Sequence, residues 1–375
     1  MTSQFVFVLS ARYPTEKAYG VTVGRTCQAI RSLGQTASIF APNVNSQKQD
    51  NFGNHLSTVL FENEKIKKLF NYSVRNSLAF VLWQIFLGYF IVRRFRQYTN
   101  TFCYREVYVA LLPCLFMRKA RHVVEIHHSL DTLRSLIIRL VLLSRNVRIV
   151  YISERLQNTN LSEKLNRNSK VIEMGVPGHF FNSYNKQKAA TNSICFLGKG
   201  ESNGNSNGIE EFVNQLSELH FKDALHVAFI GLQNDELENR IEEVLSLNHS
   251  IHLSIVDHVA HESVSKLLNS FKVGLIPYPD TSYHRDRFPI KILEYAALGL
   301  NILITDTEAH RAIVPKRCAF FYNPRSKESL GQAIRELSNT RIAKLKRDNA
   351  FTWAKAFTYE ERARKYLYLF NYPDS

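Results

Sequence analysis

An α/β fold in two halves, each a parallel sheet covered by helices, is predicted for this chain. Three observations predict it. Short apolar runs of strand length alternate with segments of helical period from end to end. The 375 residues are enough for two domains that each bury their own core. A Gly/Pro/Asn/Lys-rich stretch over 175–191 divides a strand-like run from a fresh apolar one and marks the joint.

In the first half, strands are expected near 4–9, 36–40, 106–110, 122–126 and 148–152. Helices are expected over 20–33, 64–98 with a break, 130–143 and 154–166. The run Phe5-Val6-Phe7-Val8-Leu9 has no basic flank before it and is too short for a secretory core, so it reads as the first buried strand. In the second half, strands are expected near 193–197, 225–230, 251–255, 273–277, 301–304 and 319–322. Helices are expected over 208–220, 235–246, 261–271, 289–298 and 327–338. The tail carries aromatics at helical spacing, from Phe351, Trp353 and Phe357 to Tyr359, Tyr366 and Phe370, and reads as an amphipathic helix that needs cover.

Hydrophobic content of 45% and charged content of 22% are ordinary for a globular protein. The five cysteines are odd in number, widely spaced and without a metal-binding pattern, as reduced thiols of a cytoplasmic protein would be. Charge is uneven. Residues 1–185 hold 24 Lys/Arg and 10 Asp/Glu, a net of +14, whereas 186–375 hold 24 and 23, a net of +1. Such a field favours an anionic partner, such as membrane lipid, lipid-linked pyrophosphate or acidic glycan. A basic domain with no specific anion is the alternative. No nucleic-acid partner is expected, because no recognition module accompanies the charge. The most apolar segment, Ser77 to Val92, has 16 residues and is flanked by Lys65, Lys67 and Lys68 before and Arg93, Arg94 and Arg96 after. It falls short of the ~20 residues of a spanning helix. Two readings stay open for it: a helix lying on an anionic membrane surface, or a fully buried core helix.

The most informative stretch is Phe288-Pro289-Ile290-Lys291-Ile292-Leu293-Glu294-Tyr295-Ala296-Ala297-Leu298-Gly299. Pro289 suits the first turn of a helix and Gly299 suits its left-handed cap. Ile290, Leu293, Ala296 and Ala297 form an apolar stripe between them. A helix N-terminus therefore follows a charged loop, His284-Arg285-Asp286-Arg287. Free N–H groups and a partial positive charge make that turn an anion site suited to a diphosphate. Asp286 and Glu294, eight residues apart, flank it.

This wording resembles the family-4-type retaining glycosyltransferases of the GT-B fold. In that fold two Rossmann-like domains face each other across a cleft, and a C-terminal helix crosses back to the first. The resemblance implies an acceptor-binding domain over 1–180 with a crossing helix over 353–375, and a nucleotide-sugar-binding domain over 190–352. It implies that Glu294 binds the donor ribose and that Asp286, which stands where the family has glutamate, contacts the transferred sugar. The backbone at Ile290 and Lys291 would take the diphosphate. Lys199, in Phe196-Leu197-Gly198-Lys199, fills the place of the family's arginine and keeps the charge without its bidentate fork. Asn207, before Gly208, replaces a family lysine after a polar insertion, so Lys291, Arg285 or Arg287 would help neutralise the leaving group. His127, at the carboxyl end of a strand where α/β sheets bind ligands, would hydrogen-bond the sugar, with His128 as the alternative. Gly20 matches a family glycine in the loop after the first strand. Ser153 matches a family serine or is simply a helix cap.

The implied reaction moves a sugar from a nucleotide-diphosphate donor to a glycan or lipid-linked acceptor in surface polysaccharide or glycoconjugate synthesis. It needs neither metal nor cofactor and takes place at the cytoplasmic face of the membrane. The altered carboxylate and the missing lysine also fit a weakly active donor-binding protein or scaffold. A non-hydrolysing sugar-nucleotide epimerase is the remaining reading.

Overall fold

The computed structural model describes residues 4–11, 13, 18–41, 78–160, 168–184, 192–202, 204–259 and 261–370. The loop residues Arg12 and Pro14–Lys17, the part of the expected helix over 64–77 with its lysines, and joint residues 185–191 lie outside these. The chain forms two compact units, residues 1–175 with 359–375, and residues 176–358.

In unit 1 the order is β1 (Phe5–Val8), α1 (Ala18–Ser32), β2 (Ala37–Phe40), α2 (Leu78–Phe95), β3 (Thr101–Tyr104) and α3 (Val107–Phe116). It continues with β4 (Arg121–Ile126), α4 (Thr132–Val141), β5 (Val147–Tyr151), α5 (Glu154–Asn160) and β6 (Ser169–Val171). The six strands pair in parallel as β2-β1-β3-β4-β5-β6.

One expected strand is corrected. Residues 107–110 are helical, and the strand is the buried Thr101-Phe102-Cys103-Tyr104 before them. The sequence Val107-Tyr108-Val109-Ala110-Leu111-Leu112 is apolar all round because α3 is packed between α2 and α4, and an apolar run without a polar face has no period to read. Pro113 inside α3 cannot donate to the Val109 carbonyl. Gly88 of α2 approaches that carbonyl so closely that a Cβ would stand 2.7 Å from it. The fully buried reading of α2 is corrected as well. Its 18 residues are long and apolar enough to cross a membrane, yet Leu78, Leu82, Phe86 and Tyr89 are exposed along one face.

Unit 2 begins at Val176. It runs β7 (Ser193–Leu197), a hairpin of β8 (Glu201–Ser202) and β9 (Asn205–Ser206), α6 (Ile209–Ser217), β10 (Leu225–Ile230), α7 (Asp235–Ser246) and β11 (Ile251–Val256). Next come α8 (His261–Leu268), β12 (Val273–Ile276), α9 (Ser282–Arg285), α10 (Ile290–Ala297), β13 (Asn301–Thr305) and α11 (Glu308–Ile313). The unit closes with β14 (Phe320–Tyr322), α12 (Lys327–Ser338) and α13 (Thr340–Ala354). Its parallel sheet reads β11-β10-β7-β12-β13-β14, the doubly wound Rossmann order. One apolar cluster covers each face of that sheet. Trp353 and Phe357 still pack in unit 2, with ring centroids 5.0 Å apart. The return to unit 1 falls between Thr358 and Tyr359, and α14 (Tyr359–Tyr368) lays Tyr359, Ala363 and Tyr366 into the unit 1 core.

Candidate functional site

In a doubly wound sheet the chain leaves in opposite directions on either side of the first strand, and a ligand crevice opens at the carboxyl ends there. In unit 2 those strands are β7 and β12. After β7 comes Gly198, whose φ of +149° suits glycine, and then the exposed Lys199. The β8–β9 hairpin follows. Asn207 is buried and its amide donates to the Lys199 carbonyl over 2.7 Å, so it braces the hairpin base. Gly208 caps α6 at φ +76°, against the Pro277 carbonyl, where a Cβ would stand 2.1 Å away.

After β12 the loop carries α9. Thr281 caps it by accepting from the His284 N–H. His284 Nε2 donates to the Ser206 carbonyl over 2.9 Å, and the Tyr283 hydroxyl meets the Ser202 hydroxyl at 2.5 Å. The hairpin after β7 and the loop after β12 are thus tied together. Asp286 ends α9, half-buried. Arg287 stacks over the Tyr283 ring at 3.6 Å. Arg285 folds back onto Asp280 with two hydrogen bonds of 2.7 and 3.1 Å.

Pro289 is the N-cap of α10 and Ile290 its first helical residue, one place later than the spacing suggested. No side chain caps this end and no acidic residue lies in its first turn. The amides of Ile290 and Lys291 belong to the first turn, where N–H groups have no intrahelical acceptor. One turn further, Glu294 is 3% exposed and accepts from Lys291 Nζ over 2.8 Å. The structure therefore pairs two residues that were expected to meet the donor separately.

Tyr295 holds this arrangement. Its hydroxyl accepts from the Leu197 N–H over 3.0 Å, at the end of β7. Its ring occupies the space beside Gly274 of β12, where a Cβ would come within 2.3 Å. One buried ring thus fixes α10 to both strands that flank the crevice. The motif contains Tyr295, but nothing in its spacing announces the partner glycine.

In unit 1, Gly20 lies in the first turn of α1 rather than at the end of the preceding loop. Ser153 caps α5, with its hydroxyl 3.4 Å from the Leu156 nitrogen. His127 is buried just after β4 and His128 is exposed. Burial first, and then the charge of Arg105, push the His127 imidazole down to about 4, against the pull of Glu125. The ring is neutral at neutral pH. Among the described residues, no three His, Cys, Asp or Glu side chains gather as a metal site.

Solved structures align over nearly the whole chain. A glycosyltransferase from Rickettsia africae ESF-5 is 14% identical, with 98% of this chain and 97% of that one covered and a TM-score of 0.71. Sucrose-phosphate synthase from Thermosynechococcus elongatus is 12% identical, with 98% of each chain covered and a TM-score of 0.72. Anabaena Alr3699/HepE in complex with UDP is 11% identical, with 97% and 98% covered and a TM-score of 0.65. The fold is GT-B. Residues 191–340 match the family model of glycosyl transferases group 1. That span holds Lys199, Asn207, Asp286, Arg287, Ile290, Lys291 and Glu294, and leaves out Gly20 and His127. No curated protein sequence matches the chain.

Proposed function

We propose that this GT-B protein is a retaining glycosyltransferase that moves a hexose from a nucleotide diphosphate to a glycan or lipid-linked acceptor. The observation that carries the reading is the uncapped start of α10 at the switch point of unit 2, with Glu294 one turn behind it. The Ile290 and Lys291 amides receive the diphosphate. Glu294 takes the ribose hydroxyls, exchanging or sharing its contact with Lys291. Asp286 meets the sugar, and Lys199 and Arg287 supply positive charge. In unit 1, His127 offers a hydrogen bond to a sugar hydroxyl.

In the reaction the anomeric carbon loses its bond to the diphosphate oxygen. It gains one to the acceptor oxygen on the same face, and the hydroxyl proton leaves with the diphosphate. Stabilisation of the departing charge is electrostatic, and no metal or cofactor takes part. The exposed apolar face of α2 and the basic balance of residues 1–185 support peripheral attachment to anionic lipid on the cytoplasmic side. On this reading the activity serves surface polysaccharide or glycoconjugate assembly.

Thermal shift with UDP-, GDP- and ADP-sugars identifies the donor, and transfer is then measured with Glu294→Ala. The expected result is a loss of roughly a hundredfold in kcat/KM, together with loss of the donor-induced shift. Full transfer by the variant would reject the assignment. The engagement of Asn207 with the Lys199 carbonyl favours a second reading, a donor-binding protein of low turnover. Calorimetric donor binding without product would select it.

A further inference from the structure

A web of buried charge in unit 1 ends at His127. Val123, Glu125 and His127 alternate along β4 and its extension, so their side chains share one face of the sheet. That face is covered by α14. Arg362 of α14, 3% exposed, donates to the Ile172 carbonyl over 2.8 Å, to the Glu173 carbonyl over 2.5 Å and to the Glu125 carboxylate. The other Glu125 oxygen stands 3.4 Å from His127 Nε2, close enough for charge to act on the ring but long for a closed hydrogen bond. Burial alone pushes the Glu125 carboxyl up, and Arg362, His127 and Arg105 together reverse this and hold it well below the usual carboxylate range. Glu125 is therefore ionised. A carboxylate can only accept, so the ring nitrogen facing it carries the proton, and Nδ1 is left as an acceptor.

We propose that Glu125 and Arg362 are positioning residues for His127: the last helix of the chain fixes the imidazole as its Nε2–H tautomer and so presents Nδ1 to a substrate hydroxyl. The inference rests on the reading of His127 as a sugar contact, but its geometry does not. Without Arg362, Glu125 would lose the strongest of the charges that hold it ionised. Without Glu125, the neutral ring would lose the group that selects its tautomer.

The test uses the full chain labelled with ¹⁵N-histidine, as wild type, Glu125→Gln, Arg362→Lys and His127→Ala. The wild-type ring is expected to show a protonated Nε2 and a bare Nδ1. In E125Q the two ¹⁵N signals of His127 should move toward the other tautomer while far-UV circular dichroism stays native. Transfer by E125Q and by R362K should fall roughly ten- to hundredfold in kcat, with donor KM within about threefold. The double variant E125Q/H127A should be no slower than H127A, because both changes remove one effect. Unmoved ring signals in E125Q, or losses that multiply in the double variant, would overturn the proposal. Full transfer by H127A would overturn the sugar-contact reading instead, and the ring signals would still decide what holds the imidazole.

Discussion

The two units share a parallel-sheet plan and prepare the carboxyl ends of their strands in opposite ways. Unit 2 relies on backbone. Its candidate site is a helix start with no capping side chain, and neutral contacts hold it: the Tyr295 hydroxyl on Leu197, and a ring seated over Gly274. Unit 1 relies on buried charge, with Glu125, Arg362, Arg105 and His127 gathered behind one strand end. Amides at a helix terminus bear no net charge and turn their N–H groups toward an anion. A buried ion pair is weak evidence of stability, because its desolvation cost rivals its attraction. The difference teaches that unit 1 gathers its buried charges from a strand and the returning helix, whereas the partly buried pair of unit 2, Lys291 and Glu294, lies within α10 itself.

Acid breaks this comparison most strongly. Burial pushes the imidazoles of His122 and His127 in unit 1 and His310 in unit 2 down to about 4. An unfolded chain protonates them near 6.5, so it binds more protons than the folded chain between roughly pH 6.5 and 4. Stability is full above that window and is lost as pH falls through it, at about 1.4 kcal/mol per pH unit for each proton. Burial also lowers His284 of unit 2, where the Ser206 carbonyl pulls back. Unit 1 has the further charge of Glu125, whose depressed carboxyl adds stability above the unfolded carboxylate range and loses it below. Burial raises the Glu106 carboxyl, which works the other way and adds stability as pH falls through its folded value. Unit 1 is therefore expected to unfold first on acidification, with a difference of at most about 2 to 3 kcal/mol by about pH 4.5, the worth of its one extra buried imidazole. The chain has two tryptophans, Trp83 in unit 1 and Trp353 in unit 2. Urea melts of the two single-tryptophan variants at pH 7.5 and 4.5 report each unit separately, and equal losses at both probes would erase the distinction.

Gly274→Ala sharpens the comparison from the side of unit 2. The new methyl meets a fully buried ring whose hydroxyl is already engaged, so neither partner can yield cheaply. A loss of about 3 kcal/mol is expected, at the upper end for overpacking. It should appear at Trp353 and leave the Trp83 melt in place. Tyr295→Phe removes only the hydrogen bond and should cost about 1 kcal/mol. A G274A melt that matches wild type would show that α10 is held by something else.

How much of this was legible differs between the units for physical reasons. In unit 2 the helix over 289–298, its glycine cap and its carboxylate could be read, because Pro289, Gly299 and the Ile290–Ala297 stripe are local signals. The pairing of Lys291 with Glu294 follows from i, i+3 spacing and could have been read as well. The Gly274–Tyr295 fit could not, since it joins residues on different elements. In unit 1 the same limit hid Arg362, which meets Glu125 only because α14 returns to the first sheet. The Val107–Phe116 helix was misread where helices on both sides leave the sequence no polar face. The charge of Arg285 is visible in the sequence, and its pairing with Asp280 is set by the turn of α9.

The smallest expected effect lies on the surface and again separates the units. In unit 2 the exposed large apolar residues are scattered, as Leu247, Ile342 and Leu345. In unit 1 most of them fall in two rows, Leu78, Leu82, Phe86 and Tyr89 along α2, and Leu133, Leu136 and Leu140 along α4 with Leu143 just beyond its end. Both helices pack on α3, and Arg93 and Arg94 of α2 and Arg134 and Arg139 of α4 stand beside the stripes. Apolar rows among cations suit the headgroup boundary of an anionic bilayer. Leu82→Ser with Phe86→Ser, and separately Leu136→Ser with Leu140→Ser, should each lower partition onto vesicles rich in phosphatidylglycerol by about thirtyfold or more, since each side chain withdrawn from lipid costs one to a few kcal/mol. Neither pair should shift the Trp353 melt by more than about 0.5 kcal/mol. Wild-type protein should bind phosphatidylcholine vesicles far more weakly, because the charge of unit 1 then has no counterpart. Vesicle binding that survives both double substitutions would mean that the stripes do not touch lipid, and the attachment proposed for unit 1 would then rest on charge alone.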